Sequence, residues 1–119
     1  MSGVRVGEWS GLEQRKHKRA PLHVPIECSF DGRTVSGQAE NISISGLLVR
    51  CDTTFAQDSE GSITWTLPGS AEPIRSQARV AHEVPEKFMG LELIRPSAAD
   101  GERIERFVAD AALTPIKPR

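Results

Sequence analysis

Between Leu22 and Phe30 every second residue is apolar: Leu22, Val24, Ile26, Cys28 and Phe30. Side chains of an extended chain alternate between two faces, so strict period two predicts a strand with one face buried and the other wet. The same alternation returns along the chain. Asp31-Gly32 is a hairpin-turn signal, because such turns need positive φ, and Val35, Gly37 and Ala39 then read as the answering strand. Gly46 to Cys51 is a further short strand. Ile63, Trp65 and Leu67 mark the next, and Ile74, Ala78, Val80 and Val84 another. After Pro85-Glu86 a last strand carries Met89, Leu91 and Leu93.

The period changes near the end. Ser97, with Asp100 three residues on, has the form of a capping box, and Ile104, Phe107, Val108 and Ala111 follow helical spacing. Gly101 weakens the first turn, and Pro115 and Pro118 end the helix. Five or six short antiparallel strands and one terminal helix, within a chain of 119 residues, predict an all-β domain closed as a small barrel. Residues 1–14 hold three glycines and two serines with no sustained period and read as a mobile tail; residues 15–113 form the domain and 114–119 a second tail.

Composition excludes several functions. Lys+Arg number 15 against 16 Asp+Glu, a net charge of -1, whereas a protein that coats duplex DNA is usually markedly basic. No apolar run is long enough to span a bilayer as a helix, and the first residues lack the apolar region of a secretory signal. Cys28 and Cys51 both fall in apolar runs, where a thiol acts as a small hydrophobe; a reducing cytoplasm is the expected location. His17, His23 and His82 show no metal-ligand spacing, and no nucleophile elbow is present, so no catalysis is expected. A barrel that stacks nucleic-acid bases needs exposed aromatics; the chain has no Tyr, and Phe30, Trp65 and Phe107 fall on core positions.

Two features stand apart. Arg15-Lys16-His17-Lys18-Arg19 puts four positive charges in five positions just before the first strand. Arginine presents a planar fork suited to phosphate oxygens and to the O6/N7 edge of guanine; the plainer reading is a solvated basic tail. The second feature is Glu40-Asn41-Ile42-Ser43-Ile44-Ser45-Gly46. Period two places Asn41 and Ser43 on one face, about 6–7 Å apart, with Ile42 on the other. An amide beside a hydroxyl can bond a base edge and a phosphate or ribose. Gly46 lacks a side chain where the backbone bends or a ligand approaches; alternatively Asn41 and Ser43 simply satisfy a turn.

Together, R-x-x-x-R entering the first strand (Arg15, Arg19) and N-x-S-x-x-G on a later one (Asn41, Ser43, Gly46) resemble the PilZ domain family. The run Arg79–Leu93 is similar to that family's final hairpin, and the resemblance covers roughly residues 13–110. It implies a six-stranded barrel that binds cyclic di-GMP, with no cofactor. Arg15 and Arg19 would grip phosphate and guanine, Asn41 and Ser43 would contact guanine and the phosphate-sugar ring, and Lys16 and Lys18 would add charge. An aromatic residue in some members, near the start of the final hairpin, is replaced here by His82, which shares parity with Val80 and Val84 and is equally a structural histidine. Gln14, just before the first arginine, leaves open whether one ligand binds or an intercalated pair. The expected partner is an unidentified protein effector. A family member working through protein contacts without nucleotide, and a nucleic-acid-binding barrel, are the alternatives.

Overall fold

A computed structural model describes residues 19–113 of the chain. Its elements are β1 (Ala20–Phe30), β2 (Arg33–Ser43), β3 (Gly46–Arg50), β4 (Glu60–Thr66), β5 (Pro73–Val84), β6 (Phe88–Ile94) and the helix α1 (Ala98–Leu113). The six strands close into an antiparallel barrel in the order β1-β2-β3-β6-β5-β4, with β4 returning to β1.

The turn between β1 and β2 has positive φ at both Asp31 and Gly32 (54° and 75°), the geometry that matches the twist of paired strands. Phe30 then sits opposite Arg33, and the register runs on through Cys28–Val35 to Ile26–Gly37. The alternating residues do point inward: Leu22, Ile26, Cys28, Phe30, Ile63, Trp65, Ile74, Ala78, Val80, Met89 and Leu91 form one buried core. Phe55, in the loop before β4, has no alternation to mark it. It is nonetheless buried and stacks on Phe30, ring centroids 4.9 Å apart, at the hairpin end of the barrel.

The helix lies at the other end. Ser97 Oγ accepts the Asp100 backbone N–H at 3.0 Å, which satisfies one of the orphan donors of the first turn. The expected reciprocal box does not form, because the Asp100 carboxylate accepts from Arg103 Nη1 at 3.1 Å instead. Arg103 also donates through Nη2 to Ser70 Oγ (2.8 Å) and to the Glu72 carbonyl (2.6 Å), tying α1 to the loop before β5. Ile104 and Val108 are buried against the barrel, with Phe107 and Ala111 packed beside them.

Both cysteines are reduced and buried. Burial, with a smaller contribution from Cys51, pushes the Cys28 thiol up to about 12, and burial also raises Cys51. Neither is an accessible thiolate at neutral pH, in keeping with a packing role.

Candidate functional site

Strict alternation fails at two places, and both failures shape the outer face of the barrel. In β2 the interior positions Ala39 and Ile42 are three apart. Ala39 pairs with Val49 and Asn41 with Leu48, so Glu40 is an extra residue, a bulge that reverses the parity of the strand end. Ile42 therefore enters the core at 0% exposure, while Asn41 and Ser43 share the opposite face, Asn41 half-buried and Ser43 tucked under the following turn at 4% exposure. In β5 a second bulge falls at Ala81, because Val80 pairs with Leu91 but His82 with Gly90. Parity with Val80 is thus broken by that one inserted residue: His82 lies on the outer face, and of the two neighbours expected to share its face only Val84, opposite Phe88, does so.

The two bulges align outward-facing residues in lateral rows across four strands. One row runs Asn41, Leu48, Gly90, His82; the next runs Ser43, Gly46, Glu92, Arg79. A cleft of about 330 Å³ opens over these rows, lined by Arg19, Asn41, Ser43, Gly46, Leu48 and Glu92 among others. Ala81 and Gly90 also line it, whereas His82 stands at the end of its row without lining the cleft. A second, more open hollow of about 570 Å³ adjoins it across Arg19, Asn41 and Leu48, with His23, Arg50 and Phe88 on its far side.

Of the residues picked out in the sequence, Arg19, Asn41, Ser43 and Gly46 come together here. Arg15, with Lys16, Lys18 and Gln14, lies outside the described residues, as does the segment expected to be a mobile tail. Arg19 precedes β1, and Ala20 pairs with Ile42, which brings the guanidinium beside β2. Its Nη1 donates to Asn41 Oδ1 at 3.4 Å, a long bond that a ligand oxygen can displace.

Ser43 has local duties. Its Oγ accepts the Ser45 backbone N–H at 3.2 Å and shares a hydrogen bond with Ser45 Oγ at 3.0 Å, holding the two-residue turn that joins β2 to β3. The hydroxyl therefore braces the turn while it lines the cleft. Gly46 is fixed by a neighbour rather than by backbone bending: a Cβ there would overlap the Leu91 carbonyl oxygen of β6. Glycine at this position lets β3 and β6 approach closely.

Sequence reasoning did not single out Glu92 or Glu40. Glu92, on the β6 side of the cleft, accepts from Arg79 Nε at 3.1 Å and from Arg79 Nη2, while Arg79 Nη1 bonds Asp58 at 2.8 Å. Hydrogen bonding and charge from Glu92, with Asp58 adding to them, hold the guanidinium above its ordinary value. Glu40, the bulge residue, bridges Arg50 Nη2 (2.7 Å) and His23 Nδ1 (3.2 Å). Its partner His23 has φ 52°, at the irregularity in β1 opposite the bulge. Nothing in period two announces these pairs; only the register reveals them.

Among the described residues no three His, Cys, Asp or Glu side chains gather as a metal site, and no helix is long and apolar enough to cross a membrane.

A closed six-stranded barrel with a helix at one end and a cleft on its outer face places the chain among small β-barrel domains. The family model for the PilZ domain matches residues 13–110, and the chain belongs to that family. Solved structures carry the same fold. The Bacillus subtilis inhibitor of motility MotI/DgrA superposes with a TM-score of 0.71 at 18% identity, over 83% of this chain and 51% of that one. The PilZ domain of YcgR from Escherichia coli, solved with c-di-GMP, gives 0.67 at 10% identity, over 84% and 92%. PlzA of Borreliella burgdorferi, in complex with c-di-GMP, gives 0.55 at 14%, over 96% and 61%. The chain spans about half the length of the motility inhibitor. No curated protein sequence matches it.

Proposed function

We propose that this PilZ domain is a cytoplasmic sensor that binds cyclic di-GMP in the outer cleft, catalyses nothing, and passes the signal to a protein effector. The observation that carries this reading is the convergence of Arg19 with Asn41, Ser43 and Gly46, separated in sequence by a whole hairpin, on one cleft. The two relatives solved with c-di-GMP support the choice of ligand.

In this reading Arg15 and Arg19 grip phosphate and guanine through their forks, and Asn41 and Ser43 bond the base and the phosphate-sugar ring. Gly46 keeps β3 close to β6, so the cleft floor stays open. The working unit is residues 15–113, flanked by tails 1–14 and 114–119. Ligand contacts draw the segment carrying Arg15 onto the barrel at an ordering cost of about 1–2 kcal/mol per fixed residue, and the covered rim is what the effector reads.

Calorimetric titration with cyclic di-GMP, and with GTP and cyclic di-AMP as controls, tests the function. Cyclic di-GMP binds in preference, because adenine offers an amino donor where guanine offers O6. Arg15→Ala weakens binding about ten- to a hundred-fold, the worth of a charge-assisted hydrogen bond. Equal affinity for both cyclic dinucleotides, or none for either, sinks the reading.

A further inference from the structure

The cleft is electrically two-sided. Arg19 stands on its β1 side, while its β6 side carries a carboxylate, Glu92. Ser43, Gly46 and Glu92 share one row, so the backbones of Ser43 and Glu92 are two strands, about 10 Å, apart. Only Gly46 lies between them, and no side chain interrupts that span.

A carboxylate on the wall of a site for a doubly anionic ligand is repulsive wherever phosphate approaches it. It is favourable only where the ligand presents donors. The Watson–Crick edge of guanine does so, with N1–H and the 2-amino group side by side, a match for an acceptor-only carboxylate. Adenine has an acceptor at N1 and no 2-amino group.

Glu92 is also held ready for that role. Both bonds from Arg79 fall on Oε1, and Asp58 steadies Arg79 from the other side, which leaves Oε2 without a protein donor among the described residues. The carboxylate is 48% exposed, open to a ligand yet fixed in direction by a forked partner.

We propose that Glu92 is the specificity-determining residue of the cleft: it reads the N1/N2 edge of a guanine and orients the ligand, base toward β6 and phosphate toward Arg19 and Ser43. This rests on the function proposed above and adds to it, since the arginine forks address the opposite, O6/N7 edge.

The test uses the whole chain, titrated calorimetrically with cyclic di-GMP and with cyclic di-IMP, which differs only in lacking the 2-amino groups. The wild type is expected to prefer cyclic di-GMP by about tenfold or more, the worth of one charge-assisted hydrogen bond. Glu92→Ala, its folding checked by melting temperature, is expected to bind the two ligands within about twofold of each other. A merely structural Glu92 would weaken both ligands by the same factor and leave their ratio intact; that result, or a wild type indifferent to the 2-amino group, overturns the assignment while the proposed function stands. Failure of the wild type to bind cyclic di-GMP at all removes the proposed function and this inference with it.

Discussion

The two faces of the β2 end, only one residue apart, have opposite duties. Ile42 points into a core that includes Val49 and Met89 and is sealed from water, whereas Asn41 and Ser43 on either side of it face a cleft. Inside, position is enforced by packing density, and any change of volume is felt. Outside, the side chains are placed by backbone register, and Ser43 divides its chemistry between the turn and the cleft. The difference teaches that this site depends on the core indirectly: the interior fixes Ile42, and Ile42 fixes the direction of its neighbours.

That contrast can be broken or sharpened by mutation. Ile42→Ala should have the largest effect, about 2–5 kcal/mol of stability lost in denaturant titration, because a fully buried side chain leaves a cavity. A loss below about 0.5 kcal/mol would mean that the interior does not anchor the strand end. Gly46→Ala should cost about 1–3 kcal/mol, since its Cβ must push β3 away from the Leu91 carbonyl; it tests whether the glycine serves packing ahead of ligand approach.

Arg19→Ala should leave the melting temperature near that of wild type but weaken cyclic di-GMP binding by about 1.5–3 kcal/mol. Arg19→Lys should recover little of this, because lysine lacks the fork. Asn41 and Ser43 should differ from each other in stability. Ser43→Ala should lose about 1 kcal/mol by freeing the Ser45 N–H, while Asn41→Ala should stay within about 0.5 kcal/mol. Both should bind ligand less well. Equal stability losses would erase the distinction between a turn brace and a pure ligand contact.

Much of this architecture is legible in the sequence because period two is a local signal. Leu22 through Phe30, the Asp31-Gly32 turn and the face of Ile104 and Val108 each announce themselves within a few residues, and the structure places them as read. Where the parity reading strayed, the cause was register. A bulge adds one residue to one strand only, so the inversion at Ala81 that carries His82 outward depends on the partner strand β6, which no local window contains. Phe55 was missed because a loop aromatic has no alternation, and its burial comes from a distant neighbour, Phe30. Glu92 was missed for a related reason: as the polar member of an alternating strand it looks like a solvated charge until Gly46 and Ser43 are seen beside it.

The closed strand order has a consequence for how this domain can be recognised. Because β4 returns to pair with β1 over Ile26–Phe30, most strand edges among the described residues are taken up by a neighbour. Strand addition, the mode by which open sheets often capture extended peptides, has little free edge to work on. Recognition then falls mainly to side chains, on the outer face, at the loops or along α1. If the domain works as proposed, a rearrangement on ligand binding reaches a partner chiefly where it alters those surfaces, which makes the rim beside Arg19 and the turn at Ile44 and Ser45 the natural place for it to be felt.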